Sequence, residues 1–149
     1  MNTQVVYFSN SGHNKRLAEN IARHYGTSAV PIIPVEDYPM NYNELTAQAK
    51  HERFHHVEVP IQPLSLDPKA DVLILVSPIW YADLPRSVVS FLKQLKHTYA
   101  RVTFTSDKFM VGFGTCGQTL RRYLSSPTVI NKVAANSTNF SRITAILDN

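Results

Sequence analysis

The sequence predicts a single α/β domain, spanning residues 1–149, with a five-stranded, doubly wound parallel sheet. Strand-like apolar runs alternate with segments of helical periodicity along the chain. One run, "VLILV" at residues 72–76, is continuously apolar, which is typical of a central strand covered on both faces. No internal repeat or low-complexity tract interrupts the alternation. Strands that alternate with helices indicate right-handed crossovers between parallel strands.

The first half of the chain is expected to contain two strands and two helices. Residues 4–8 form the first buried strand, and an apolar stripe marks the helix after it: Leu17, Ala18, Ile21, Ala22 and Tyr25. The second strand is expected at 29–35, where two prolines favour an edge position. The second helix is expected from Asn43, as its N-cap, to about residue 54. A proline-rich loop follows it.

The second half is expected to begin with the central strand at 71–77. Pro85 then opens the third helix, since proline is best tolerated in the first turn. A fourth strand is expected at 108–113 and a fifth at 142–147. The segment 118–137 between them is broadly helical and is interrupted by a proline.

A fifth strand at 142–147 leaves no room for the helix that normally completes such a domain. That helix is therefore expected to be absent, which would expose part of one sheet face beside Leu17 and Ile21. Because large apolar patches are seldom left in water, a homodimer through this face is one expectation. The alternative is that segment 118–137 folds over the same face.

Composition sets the broad class of the protein. With 44% hydrophobic and 17% charged residues, the 149-residue chain is typical of a folded globular protein. A single cysteine excludes an internal disulfide, and neither a signal-peptide pattern nor a membrane-spanning run is visible, so a cytoplasmic location is expected. The net charge is +4, but the basic residues are scattered, so neither nucleic acid nor a membrane is an expected partner.

Six small or polar residues, Ser9 to Asn14, separate the first strand from the first helix. A short loop that leads into a helix N-terminus collects unpaired N–H groups and the positive end of the helix dipole, and so can hold a phosphate. Gly12 allows close approach, while Ser9, Ser11 and Asn14 add side-chain donors. The loop contains no lysine and no three-glycine fingerprint. A polar turn whose Ser or Asn caps the helix remains the alternative.

Two further loops follow predicted strands. "SPIWYADLP" places Trp80, the single tryptophan, where it could stack on a planar ring; alternatively, Trp80 and Tyr81 close the core. Asp83 is expected to be a helix cap, and Ala82 carries a Cβ that resists positive φ. In the third loop, "GFGTCGQ", two glycines let backbone amides point at a ligand. Cys116 is expected to be a packing residue, because no base lies near it in sequence.

Three segments in order resemble the flavodoxin family. Residues 9–14 are similar to the family's phosphate loop, S-x-T-G-x-T, although Asn14 stands where the family has threonine. "YPMNYNELTAQAKHE", residues 38–52, resembles the segment before strand three in one branch of short flavodoxins, and "SPIWYADLP" resembles that branch's proline–tryptophan loop. The resemblance implies strand order 2-1-3-4-5 and FMN bound noncovalently at the carboxyl ends of the strands.

The resemblance also implies which residues bind FMN. The phosphate would be held by the first loop: Ser9, Asn10, Ser11, Gly12, His13 and Asn14. The isoalloxazine would be lined by the second and third loops: Pro78, Ile79, Trp80, Tyr81, Ala82, Thr115, Cys116 and Gly117.

The implied function is an electron carrier between redox partner proteins, without a catalytic residue of its own. Two alternatives are an FMN-dependent NAD(P)H:quinone-type oxidoreductase and a binding module that has kept the fold and lost the flavin. The pI near 9.3 departs from the acidic character of most flavodoxins, so a redox partner other than the usual one is an expectation. No metal is expected, because the histidines at 51, 55 and 56 have no cysteine or carboxylate at metal-site spacing.

Overall fold

A computed structural model of the protein describes residues 2–107 and 112–134. In chain order, its elements are β1 (Thr3–Tyr7), α1 (His13–His24), β2 (Ala29–Pro31), α2 (Tyr42–Phe54), β3 (Val72–Val76), α3 (Arg86–Gln94), β4 (Arg101–Ser106), α4 (Cys116–Tyr123) and β5 (Val129–Ala134).

The five strands form one parallel sheet in the order β2-β1-β3-β4-β5. This confirms the predicted fold class and strand order, and the order is that of the flavodoxin-like doubly wound fold. The chain reverses its direction of winding between β1 and β3, so their carboxyl ends flank the crevice in which such sheets bind ligands. All five residues of β3 are buried, as the continuous apolar run predicts.

Helices cover the sheet on both faces. On one face, α1 packs Leu17 and Ile21 against Val5 and Ile74 of the sheet. On the other face, α3 and α4 contribute to a larger cluster that also includes strand residues: Leu73, Leu75, Val88, Phe91, Leu92, Phe104 and Leu120. The first helix stripe and the third helix are therefore confirmed. Within the described residues, none of the helices is long and apolar enough to cross a membrane.

Three expected boundaries are wrong. β2 ends at Pro31 rather than at residue 35, because Pro34 forms only an isolated bridge to Ile61. The N-cap of α2 is Asn41, not Asn43: its side chain accepts a hydrogen bond from the N–H of Glu44 at 3.1 Å. Pro85 stands at the N-cap of α3 rather than within its first turn.

The fourth and fifth strands are not where the sequence predicts them. β4 spans residues 101–106, before the expected 108–113. The sequence pattern does not reveal this strand, because its alternate residues Thr103 and Thr105 are polar although they are fully buried. β5 is residues 129–134, within the expected helix 118–137; its exposed, partly polar sequence resembles a helix surface. The proline that interrupts the expected helix lies instead in the turn between α4 and β5.

The expectation that the final helix is absent depends on a fifth strand at 142–147, whereas β5 lies at Val129–Ala134. Fifteen residues follow this strand, so length alone no longer argues against another element. Residues 135–149, with the expected strand at 142–147, lie outside the described residues, as do residues 108–111. The absence of a final helix and the homodimer stay predictions, but the position of the fifth strand no longer supports them.

Candidate functional site

The loop after β1 leads directly into α1. Gly12 is the N-cap of α1 and has φ 96°, a left-handed conformation that glycine adopts without strain. Its N–H donates to Ser9 Oγ at 3.0 Å, which closes the loop on itself. No side chain caps the helix and no acidic residue lies in its first turn, so the alternative of a Ser or Asn cap is wrong. The N–H groups of this helix end and the positive end of its dipole suit an anion.

Asn14 lies on the inner side of the same loop. Its side chain is buried, and its Oδ1 accepts a hydrogen bond from the N–H of Asp107 at 2.8 Å. The residue therefore joins the start of α1 to the end of β4. Ser9 Oγ and Asn14 Oδ1 each accept a hydrogen bond within the protein, which fixes the two side chains, while the Ser9 hydroxyl and the Asn14 amide keep their own donor hydrogens.

Trp80 packs nearly perpendicular to two core aromatic rings. Its ring is 5.4 Å from that of Phe8 at 85° and 5.1 Å from that of Tyr38 at 82°, both T-shaped arrangements. The side chain is half-buried. The two expectations for Trp80 are compatible, because the contacts with Phe8 and Tyr38 hold the ring in place while part of the side chain stays accessible.

Tyr38 is fixed by an acidic partner on α2. Its hydroxyl donates to Glu52 Oε1 at 2.6 Å, and Gln48 Nε2 donates to Glu52 Oε2 at 3.0 Å. Burial, together with the carboxylate of Glu52, raises the pKa of Tyr38 well above its usual value. The aromatic support of Trp80 is therefore itself held by hydrogen bonds.

Residues 80–83 form a tight turn with an unusual backbone. Trp80 and Asp83 exchange two hydrogen bonds, of 2.9 and 3.2 Å, and both residues between them have positive φ: 52° at Tyr81 and 63° at Ala82. These features define a type I′ turn, which normally contains Asn or Gly. Such non-glycine residues are strained by about 1–3 kcal/mol each, so surrounding contacts must hold the turn. The Cβ of Ala82 does not prevent the positive φ.

The third loop holds the turn from one side. Thr115 donates to the Ala82 carbonyl twice, from its N–H at 2.7 Å and from its Oγ1 at 3.1 Å. Gly114 approaches so closely that a Cβ built on it would lie 2.1 Å from the Ala82 carbonyl oxygen. The second and third loops are therefore in direct backbone contact.

Helix α2 holds the turn from the other side. Arg53 Nε donates to the Tyr81 carbonyl at 3.3 Å and lies 3.7 Å from Asp83 Oδ2. The Tyr81 hydroxyl donates to the Thr46 carbonyl at 3.0 Å. Arg53 is not among the residues predicted from the sequence, because a basic residue in the last turn of a helix gives no signal of this role.

Asp83 links several elements rather than capping α3, so its predicted role is wrong. Its Oδ1 accepts hydrogen bonds from the N–H of Leu84 at 2.8 Å and from Thr119 Oγ1 at 2.7 Å. The carboxylate is nearly buried and has Arg53 on its other oxygen. Besides its local hydrogen bond to Leu84, the Asp83 carboxylate therefore connects Arg53 of α2 with Thr119 of α4.

Cys116 is a core residue. Its side chain is fully buried, and burial together with the nearby Asp83 carboxylate raises the pKa of the thiol to about 12. This agrees with the expected packing role, and only its backbone could reach a ligand. Beside it, a Cβ on Gly117 would lie 2.8 Å from Lys132 Nζ, so the absence of a side chain there makes room for the lysine.

The structure brings the three predicted loops to one edge of the sheet. Phe8 and Trp80 join the first loop to the second, Ala82 and Thr115 join the second to the third, and Asn14 reaches the end of β4. A cavity of about 560 Å³ lies beside the first loop, between it and the segment after β2. A larger groove, of about 1060 Å³, runs along α4 and β5 and, among the residues that the structure describes, meets the site at Gly114 and Gly117.

His51 lies in the last turn of α2, and His55 is the C-cap of this helix. The rings of His51 and His55 stack with centroids 4.2 Å apart, and both residues are exposed. Residues 2–107 and 112–134 contain no group of three or more histidine, cysteine or acidic side chains placed to hold a metal ion.

Neither a protein-family model nor a curated protein sequence matches the chain. Solved structures do. A candidate flavoprotein from Bacteroides eggerthii superposes with a TM-score of 0.83 at 22% identity, covering 99% of this chain and 96% of the other. A candidate flavoprotein from Bacteroides uniformis gives 0.78 at 17% identity, covering 96% and 97%. A flavoprotein from Lactobacillus acidophilus, solved in complex with FMN, gives 0.72 at 17% identity, covering 96% and 98%. The chain shares their fold.

Proposed function

We propose that this protein binds FMN at the carboxyl edge of its sheet and carries electrons between redox partners. The observation that carries the proposal is the joining of three loops at that edge, with an uncapped helix start in the first and a half-exposed tryptophan in the second. The FMN complex of the Lactobacillus acidophilus flavoprotein, which has the same fold, supports this choice of ligand.

The residues present suit the parts of FMN. The phosphate would meet the N–H groups of the loop at 9–14, where Gly12 leaves the backbone open and no acidic side chain lies in the first turn of α1. Lys15 and Arg16, both exposed in that turn, add positive charge. The ring would lie against Trp80 and the backbone of the second and third loops. Asn10, Ser11 and His13 remain predicted contacts in the first loop, and Pro78 and Ile79 in the second.

Bound FMN supplies one- and two-electron redox chemistry, and the protein orients it and adjusts its potential. The chain's own contribution is a rigid frame: Phe8 and Tyr38 fix Trp80, while Thr115 and Arg53 fix the turn beside it. Redox partner proteins and a cytoplasmic location are part of this proposal.

Titration of the unloaded protein with FMN tests the proposal. We expect quenching of flavin fluorescence, a flavin absorption spectrum on the purified complex, and one FMN per chain. Riboflavin is the matched control, because it lacks the phosphate and should bind more weakly if the first loop holds that group. Steady NAD(P)H oxidation by the loaded protein would favour the oxidoreductase instead. Absence of binding would favour a module that has lost the flavin.

A further inference from the structure

The Tyr81–Ala82 turn presents hydrogen-bond donors and keeps its acceptors occupied. The Ala82 carbonyl accepts from two groups of Thr115, which uses both of its lone pairs. The Tyr81 carbonyl accepts from Arg53. The N–H groups of Tyr81 and Ala82, by contrast, have no hydrogen-bond partner among residues 2–107 and 112–134. Both residues are exposed, and neither N–H is used within the described part of the chain, which leaves these donors for a ligand at this edge.

Nothing in the turn's own sequence favours this arrangement. Rotating the peptide between Tyr81 and Ala82 would convert the type I′ turn to type II′, in which only the first central residue needs positive φ. That rotation would return Ala82 to negative φ and put the Tyr81 carbonyl where the Ala82 N–H now stands. Because Arg53 bonds to the carbonyl that would have to move, it opposes the rotation directly.

The arginine is itself fixed. Its Nε lies 3.7 Å from Asp83 Oδ2, and the other oxygen of that carboxylate accepts from Thr119 and from the N–H of Leu84. The guanidinium also lies over the Phe54 ring, 5.5 Å from its centroid. The bond from Arg53 to the turn is thus supported by contacts from α2, α4 and the start of α3.

We infer that Arg53 and Thr115 are positioning residues for the flavin: they hold the Tyr81–Ala82 turn in the orientation that presents N–H donors to acceptor atoms of the ring. The inference rests on the proposed function and names residues of the site beyond the three loops. Arg53 acts from a helix, through the Tyr81 carbonyl, and needs no contact with the flavin.

A set of variants tests the role of the two residues. Arg53→Gln and Thr115→Val are prepared alone and together with Ala82→Gly, which removes the strain at positive φ. The matched control is Arg86→Gln, because Arg86 also uses its Nε to bind a carbonyl, that of Val57, away from the turn. We expect Arg53→Gln to weaken FMN binding on the order of tenfold, the effect of losing one charge-assisted hydrogen bond. Thr115→Val should have a smaller effect, since its N–H remains.

The glycine substitution separates positioning from other effects. If Arg53 acts by holding the turn, Ala82→Gly restores most of the FMN affinity and the midpoint potential lost in Arg53→Gln. If Arg53 acts by its charge on the flavin, the glycine restores neither, and the inference is overturned. Should Arg53→Gln fail to fold, Thr115→Val with and without Ala82→Gly gives the same comparison.

Amide NMR signals give a readout independent of redox activity. On adding FMN to the parent protein, we expect the Tyr81 or Ala82 amide proton to move downfield and exchange more slowly with water, and we expect Arg53→Gln to reduce both changes. Binding of FMN without any change at these amides overturns the inference and leaves the proposed function standing. A parent protein that binds no FMN overturns both.

Discussion

Replacing Gly114 with alanine tests the contact on which the geometry of the site depends. A Cβ on this residue would lie 2.1 Å from the Ala82 carbonyl oxygen and 2.7 Å from both the Ala82 carbonyl carbon and its Cβ. Ordinary contact begins at 3.4 Å, so the two loops must separate by about 1.3 Å. That displacement breaks the 2.7 Å hydrogen bond from the Thr115 N–H to the same carbonyl.

The structure also gives the size of the effect. Gly114 has φ 54°, where an alanine costs about 1–2 kcal/mol. The steric displacement adds about 1–3 kcal/mol and the lost hydrogen bond about 1 kcal/mol. We therefore expect Gly114→Ala to lower the free energy of unfolding by about 3–6 kcal/mol. FMN affinity should fall at least about tenfold, because the turn beside the ring moves.

Gly26 provides the matched control. It has a similar φ of 66°, but a Cβ there would meet nothing within 4 Å, so Gly26→Ala should cost only the backbone strain of about 1–2 kcal/mol. Urea unfolding of the unloaded protein measures both variants, and FMN titration measures affinity. Equal destabilisation by the two substitutions, with FMN affinity unchanged in both, would refute the close approach of the second and third loops.

Three further predictions concern single side chains. Trp80→Ala should weaken FMN binding on the order of tenfold or more with the fold retained. Stacking of an aromatic side chain on a nucleic-acid base is worth about 1–3 kcal/mol, and we extend that value to the flavin ring. Unchanged FMN affinity in titration would exclude stacking. Asn14→Ala should destabilise the unloaded protein by about 1–3 kcal/mol, because the buried N–H of Asp107 loses the Asn14 oxygen as its acceptor. Urea unfolding measures this. A free energy of unfolding equal to that of the parent protein would show that another acceptor replaces Asn14. Folding raises the pKa of Tyr38, so its contribution to the free energy of unfolding is fully present below about pH 10, the unfolded value, and is lost as the pH rises above it. Tyr38→Phe should therefore lose less stability than the parent protein between about pH 10 and 11. Parallel plots of stability against pH for the two proteins would contradict this.

The sequence predicts the central strand and the three loops because each depends on local signals, whereas the strand order is implied by the resemblance to the flavodoxin family. The continuous apolar run at 72–76 marks the central strand, and the small polar residues before α1 mark the first loop. The last two strands are placed wrongly because their patterns are misleading. In β4, Thr103 and Thr105 are polar yet fully buried, and β5 is a partly exposed strand, the last in the order of the described sheet, with Asn131 and Lys132 in its middle.

The residues that hold the turn could not be predicted, because their roles depend on contacts distant in sequence. Arg53 and Tyr81 are 28 residues apart, and Thr115 reaches Ala82 across 33 residues. The positive φ of Ala82 runs against its local preference and exists only because those contacts are present. Asp83 is misleading for the same reason: an aspartate before a helix resembles a cap, whereas this one connects two other helices.

Titration of the unloaded protein with FMN, followed by flavin fluorescence and visible absorption, tests the central claim most directly. We expect saturable binding of one FMN per chain, with an affinity lowered by Trp80→Ala and by Gly114→Ala but not by Gly26→Ala. Failure of the folded parent protein to bind FMN, or equal affinity in all four proteins, would contradict it.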